Sequence, residues 1–376
     1  MVRPDYDGGS LVNLAASIAA VFGVETGHPP LREPLASEAP VDAVVLVLCD
    51  ALGEREFAAH LAAGAMPHLE RRLLRGEARR SVLTSVFPST TAAALASLHT
   101  GRTPAEHGRL GYSLWLDGEP HPTDMLTARD RITGIPRPIP PGSPSLFQRF
   151  AAAGVAGRVV NSAAFATSAL SAWLFAGAEY RAWHSAATLP TLVAEAANAP
   201  RPAYIHAYWP DHDAVCHVHG PGGPEAADEA AAFDGVVDRL IRRLPPTGRT
   251  LLLITGDHGQ RQLGPGADIW LDDLGATAPA GERGAAYLRH RPGLAEALAP
   301  HAEVVPMAEV WDRGWFGGAP TDPAFRARTG DILAVPREGR SLAWRAFAPA
   351  GGIPHRGHHG GWSPEEMLVP LIVLRR

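Results

Sequence analysis

The run Ala43–Cys49 (Ala-Val-Val-Leu-Val-Leu-Cys) restricts the fold of this chain more than any other stretch. It is continuously apolar, rich in β-branched residues and free of polar alternation, the pattern of a strand buried on both faces in a parallel sheet. It ends at Asp50, and helical patterns follow over residues 54–63 and 67–74. Further apolar runs at 81–87, 155–160, Ala203–Trp209, 249–255 and 367–374 read as strands. Residues 189–196 and 225–243 read as helices, the second with Ala226, Ala230, Phe233, Val237 and Leu240 on one face. Strands alternating with helices predict an α/β fold: a doubly wound, mostly parallel central sheet with helices on both faces. Between residues 260 and 354 the chain turns richer in Gly, Pro and Arg, with short apolar runs such as 331–335. This stretch reads as a small insertion, an inserted subdomain or cap with a few strands and a helix near 293–298, within one domain spanning 1–376. The prolines of 136–144 mark a surface connection.

Composition bounds the function. With 46% hydrophobic and 19% charged residues the chain is an ordinary globular one. A net charge of -5 with no basic run argues against binding a nucleic-acid polymer. A small phosphate-bearing substrate stays compatible, because bound metal ions supply positive charge that such a count omits. Cys49 and Cys216 are the only cysteines, so reduced thiols and no disulfide framework are expected. Residues 11–24 are apolar, but they follow Asp5 and Asp7 and contain Asn13, which suits an amphipathic helix rather than a signal peptide. No apolar run approaches the roughly 18 residues of a membrane span. A cytoplasmic protein without membrane contact is the expectation.

In open parallel sheets, ligands bind outside the carboxyl ends of the strands. Four strand ends here carry residues of ligand or nucleophile type: Asp50, Thr91, the pair Asp211/Asp213, and Asp257-His258. Singly, each is ordinary, since an Asp after a strand or a hydroxyl at a helix start usually caps the helix. Together they would share one rim. The stretch 87–101 starts a small-residue helix behind Phe87-Pro-Ser-Thr-Thr91 and closes it with Gly101. Thr91 then sits in the first turn, where free backbone N–H groups and the helix dipole favour an alkoxide or a phosphate, with Ser89 or Thr90 as cap. Asp213-Ala-Val-Cys-His217 and the loop 354–361, with His355, His358 and His359, supply carboxylate and imidazole suited to zinc. His206, His219 and His290 read as core or surface residues. Gly256 and Gly259 flank Asp257-His258 and give it the backbone freedom to face one ion.

The ordered set Asp50, Phe87-Pro-Ser-Thr-Thr91, Asp213-x3-His217, Gly256-Asp-His-Gly259 and His359-Gly360 resembles the alkaline phosphatase superfamily, and within it the nucleotide pyrophosphatase/phosphodiesterase branch. The resemblance implies two zinc ions: Asp50, Thr91, Asp257 and His258 would hold one, and Asp213, His217 and His359 the other. Asp213 is preferred to Asp211 because that family spaces the carboxylate four residues before its histidine. His359 is preferred to His358 and His355 because the last ligand stands directly before glycine. The resemblance also implies that Thr91 attacks phosphorus in line and forms a phosphothreonine intermediate, with ions roughly 4 Å apart holding the apical oxygens.

One position departs from the branch. Where it places an Asn a few residues after a His-Gly pair, to bind a phosphate oxygen, this chain has His107-Gly108 followed by Tyr112. A tyrosine hydroxyl can also donate; the other reading of Tyr112 is a packed aromatic beside Trp115. Trp311, Trp315 and Phe316 either stack on a substrate base or fill a small core, the latter being favoured. The expected function is a dinuclear zinc phosphodiesterase or nucleotide pyrophosphatase acting on a small phosphate ester such as a nucleotide. A zinc-dependent phosphonate hydrolase and a phosphomonoesterase are the alternatives within the superfamily. From another class, a metal-stabilised binding protein without turnover is the alternative, and the intact Thr91 speaks against it.

Overall fold

The computed structural model describes residues 1–35, 40–139, 142–347 and 355–376. Its central sheet contains β1 (Ala43–Cys49), β2 (Ala78–Thr84), β3 (Ala156–Ser162), β4 (Glu179–Trp183), β5 (Ala203–Trp209), β6 (Thr250–Thr255) and β7 (Leu368–Arg375), in the spatial order β2-β7-β6-β1-β5-β3-β4. β1 pairs parallel with β5 from Ala43↔Ala203 to Cys49↔Trp209, and with β6 from Ala43↔Thr250 to Leu48↔Thr255. Because the three strands run in register, they end at one rim, where Asp50, Pro210 and Gly256 follow. β7 alone runs against its neighbours, antiparallel to both β2 and β6.

Every residue of β1 is buried. Its side chains alternate between two cores. Val44, Leu46 and Leu48 join the core formed with the helices Leu11–Val21 and Thr91–Thr100, whereas Val45, Val47 and Cys49 join Phe57, Val193, Phe233 and Val237 on the other face. Each such aliphatic side chain stabilises the fold by about 1.5–3 kcal/mol relative to exposure. The apolar stretch near the N-terminus is thus a core element, with residues 11 to 19 buried. Among the described residues no helix is long and apolar enough to cross a membrane.

Two strands differ from their sequence patterns for one reason. β2 begins at Ala78 rather than Ser81 and ends at Thr84, and β4 has no apolar run at all. Both lie at sheet edges, where half the residues face solvent and Arg79, Arg80 or Glu179 are tolerated. Beyond Thr84 the chain leaves the sheet, with the Ser85 N–H donating to the Met367 carbonyl at 2.6 Å.

Much of residues 260–354 belongs to a second, antiparallel seven-stranded sheet, with the helix Leu294–Leu298 beside it. That sheet is assembled from two stretches of chain: strands between Ala280 and Pro336 are joined by Ser113–Leu114, Thr123–Asp124 and Arg129–Asp130. Trp311, Trp315 and Phe316 are buried in its core, and Phe87 packs on Trp315 at 5.2 Å and on Trp362 at 5.8 Å between ring centroids. The aromatic cluster therefore backs the turn before Thr91. Residues 140–141 of the proline-rich connection, and 348–354 at the end of the insertion and the start of the histidine loop, lie outside the described residues.

Candidate active site

The helix Thr91–Thr100 starts at Thr91 and ends at Gly101, whose φ of 65° is the left-handed conformation that closes helices. Thr90 is the N-cap residue, yet it makes no side-chain capping bond. The Ser89 hydroxyl donates instead to the Gly361 carbonyl at 2.7 Å. Neither hydroxyl caps, so the first turn's N–H groups keep their affinity for an anion. Thr91 Oγ1 lies 3.2 Å from His258 Nε2.

The carboxylates at the rim share a pattern. The Tyr208 hydroxyl donates to Asp50 Oδ2, while Asp50 Oδ1 is buried without a hydrogen-bond partner and stands 3.5 Å from His258 Nε2. Asp257 Oδ1 accepts from the N–H groups of Ala51 and His258, both at 3.1 Å. Asp257 Oδ2 is also buried and unpartnered, 3.7 Å from His258 Nε2. Two orphaned carboxylate oxygens, an imidazole nitrogen and the Thr91 hydroxyl thus converge. Burial, and after it the Asp257 and Asp213 carboxylates, push the Asp50 carboxyl well above its usual range. Such crowding of like groups out of water is costly unless a cation is placed among them.

Beside this set, Asp213 and His217 lie on the helix Asp211–His219, whose four-residue spacing puts them on one face. His217 Nε2 is 3.4 Å and His359 Nε2 3.8 Å from Asp213 Oδ1. Both rings use Nδ1 outward: that of His217 meets the Gly357 carbonyl at 3.0 Å, and that of His359 meets the Ser89 carbonyl at 3.1 Å and Glu282 at 3.2 Å. Their Nε2 atoms are left to face the carboxylate, the orientation that outer hydrogen bonds impose on metal-binding histidines. Gln260 Nε2 donates to Asp213 Oδ1 at 2.6 Å. Burial opposes the Asp213 charge, but His217, His359 and His258 outweigh it and hold the carboxyl below its usual value. The rings of His258 and His359 stack at 3.9 Å and join the two sets. Groups able to hold an ion therefore include Asp50/Asp213/His258 and Asp213/His217/His359, and also His217/His355/His358 and Glu282/His358/His359.

Gly256 and Gly259 serve a purpose other than backbone freedom. Neither has a positive φ. A Cβ at Gly256 would lie 2.3 Å from the Leu52 carbonyl oxygen, and one at Gly259 2.1 Å from that of Glu365. The glycines admit neighbouring backbone. The left-handed residue at this site is Ala51, with φ of 61°, a conformation that non-glycine residues adopt at some cost.

Asp50, Thr91, Tyr208 and Asp213 line a cavity of about 480 Å³. Leu95, Leu126, Phe165, Leu170, Leu174 and Phe175 give it apolar walls, and Asn161 at the end of β3 adds an amide. No Lys or Arg is among its described lining residues. Asn161 Oδ1 accepts the Ser162 N–H at 2.6 Å, which leaves its NH₂ end as donor. Tyr112 is not among these lining residues: it is packed beneath the Arg131 guanidinium at 5.0 Å, and burial followed by the Asp124 carboxylate raises its phenol well above the usual value. Sequence reasoning missed Asn161, Tyr208, Gln260 and Glu282. Only Tyr208 carried a signal, as a polar-tipped residue one position before the end of a strand on the ligand rim.

The sequence pattern of the type I phosphodiesterase/nucleotide pyrophosphatase family matches residues 44–361. The chain belongs to this family. It is accordingly a phosphoric ester hydrolase of the alkaline phosphatase superfamily, in a family that depends on metal ions. No curated protein sequence matches it. Among solved structures, murine ectonucleotide pyrophosphatase/phosphodiesterase 5, an inactive threonine-to-alanine variant in complex with AMP, aligns at 18% identity and a TM-score of 0.65, covering 88% of this chain and 87% of that one. Phosphonoacetate hydrolase from Sinorhizobium meliloti 1021, in complex with phosphonoformate, aligns at 24% identity and a TM-score of 0.60, covering 88% and 89%. These similarities show a shared fold, and the α/β architecture with its large, mostly parallel sheet is that of the family.

Proposed function

We propose that this family member is a dinuclear zinc phosphodiesterase of the nucleotide pyrophosphatase type that works through a covalent bond from phosphorus to Thr91. The observation that carries the reading is the convergence of the unpartnered oxygens of Asp50 and Asp257 with His258 Nε2 around the Thr91 hydroxyl. Asp50, Thr91, Asp257 and His258 would hold one ion, and Asp213, His217 and His359 the other. Zinc bound there supplies Lewis acidity, which lowers the pKa of the threonine hydroxyl and offsets charge on the phosphoryl oxygens.

The chain's own groups do the rest. The uncapped helix start directs N–H groups toward the phosphoryl oxygens, and the Asn161 amide, in place of Tyr112, offers a donor to a non-bridging one. As the Thr91 O–P bond forms, the bond from phosphorus to the leaving oxygen breaks. Water then cleaves the Thr91 O–P bond and restores the hydroxyl. The Ala-rich helix behind Thr91, buried from Ala92 to Thr100, keeps that oxygen fixed. The murine neighbour held inactive by a threonine-to-alanine change accords with this role.

The fold likeness to phosphonoacetate hydrolase makes phosphonate cleavage the second reading. The apolar walls and the absence of Lys and Arg from the described lining favour an uncharged organic group, such as a nucleoside, over a second anionic end. Two buried, unpaired cysteines suit a reducing, cytoplasmic setting. Assays of the zinc-loaded protein with bis-p-nitrophenyl phosphate, p-nitrophenyl phosphate and phosphonoacetate test the assignment. The diester is expected to turn over fastest, and a preference for either of the others overturns the diesterase reading while leaving family membership intact.

A further inference from the structure

Outside the catalytic rim, one buried cluster has the chemistry of a metal site. Glu56 and His60 are four residues apart on the helix Glu54–Ala62, and His212 and Cys216 are four apart on the helix Asp211–His219. Each helix therefore presents two ligand-type side chains from one face. Glu56 Oε1 is 3.3 Å from His60 Nε2, 3.4 Å from His212 Nε2 and 3.5 Å from Cys216 Sγ, and Cys216 Sγ is 3.8 Å from His212 Nε2. A tetrahedral zinc ion with bonds of about 2.0–2.1 Å to nitrogen or oxygen and about 2.3 Å to sulfur requires ligand atoms roughly 3.3–3.8 Å apart. These four of the six ligand separations fall in that range; Glu56, His60 and His212 offer ligand atoms all within 4.8 Å of one another, and Cys216 joins them through Glu56 and His212.

Burial supports the same reading. His60, His212 and Cys216 are 6%, 0% and 0% exposed, and the Glu56 side chain is 9% exposed. The second Glu56 oxygen, Oε2, is buried without a hydrogen-bond partner. Two histidines sharing a carboxylate would leave that oxygen unsatisfied and a thiol in weak contact. His212 Nδ1 lies 3.3 Å from the Asp50 carbonyl oxygen, which directs its Nε2 toward Glu56.

We propose that Glu56, His60, His212 and Cys216 form a closed, four-coordinate structural zinc site, separate from the catalytic ions. The Cys216 thiol gives up its proton on binding, and thiolate, carboxylate and Zn²⁺ together leave no net charge in the core. Softness of the donor set and the lack of a place for water distinguish it from a catalytic site. The ion would pin the helix Glu54–Ala62 to the helix that carries Asp213 and His217, and through His212 would brace the carbonyl of Asp50.

Cobalt tests this directly, because sulfur bonded to cobalt(II) gives an intense near-ultraviolet charge-transfer band and the active-site residues contain no sulfur. The full chain reconstituted with cobalt(II) is expected to show that band. His359→Ala should keep it, whereas Cys216→Ala should lose it together with about one of the metal equivalents measured in the wild type. The absence of the band from folded, cobalt-loaded wild type, its loss in His359→Ala, or an unchanged band and metal content in Cys216→Ala would each overturn the proposal. Because the signal depends on sulfur, a negative result leaves the catalytic reading untouched.

Discussion

Thr91 owes its chemistry to position: its hydroxyl opens an uncapped helix 3.2 Å from His258 Nε2. Thr91→Ala is expected to retain the metals yet lose turnover by about 10³-fold or more, as removal of a nucleophile usually does. Metal analysis beside steady-state rates checks this; a variant keeping a tenth or more of the activity would make Thr91 a spectator. His206 shows the opposite case, a histidine without catalytic use. It is fully buried in β5 with its ring 4.3 Å from that of His99, and burial drives its pKa down to about 3. In the unfolded chain it takes up a proton near the usual value of about 6.5. The folded state resists that proton, so stability is full above this value and falls as the pH drops from there toward 3, by up to about 1.4 kcal/mol per pH unit. His99, also lowered by burial and then by His206, acts with the same sign. Urea unfolding between pH 7 and 4 should show a shallower decline for His206→Phe than for wild type, and equal slopes would contradict the account.

Elements bring these residues together, and their legibility in the sequence varied with burial. β1, β5 and β6 could be read because strands covered on both faces need unbroken apolar runs, and their register then delivered Asp50, the Asp213 helix and Asp257-His258 to one rim. The edge strands β2 and β4 were displaced or missed because half of their residues face water. The substrate side was the least legible part. Asn161, Phe165 and Phe175 reach the cavity only through tertiary packing, so no spacing announces them, and Tyr112, which a family position suggests, packs beneath the Arg131 guanidinium. The glycines around Asp257-His258 were recognised, but their reason is close backbone approach. Gly259→Ala should therefore cost several kcal/mol by forcing a Cβ against the Glu365 carbonyl, at 2.1 Å in the present geometry. A thermal midpoint within a degree or two of wild type would show that the segments separate easily.

For the whole molecule, the rim of the central sheet gathers three carboxylates, the buried Asp50 and Asp257 and the partly exposed Asp213, and Asp50 feels the charge of both the others. Ions that bind the folded form stabilise it by about 4 kcal/mol when present at a thousand times their dissociation constant. Chelation should lower the thermal midpoint by several degrees and zinc should restore it; an unchanged midpoint in protein shown to be metal-free would mean that the clusters need no ion. A covalent bond between Thr91 and phosphorus can be captured chemically. Turnover of bis-p-nitrophenyl phosphate is quenched in acid and the protein digested with trypsin, which releases residues 81–102 between Arg80 and Arg102. A phosphoryl ester on Thr91 in that peptide is the expected result, and a quench taken during active turnover that finds this peptide unmodified, or the adduct on another residue, would contradict the covalent role of Thr91.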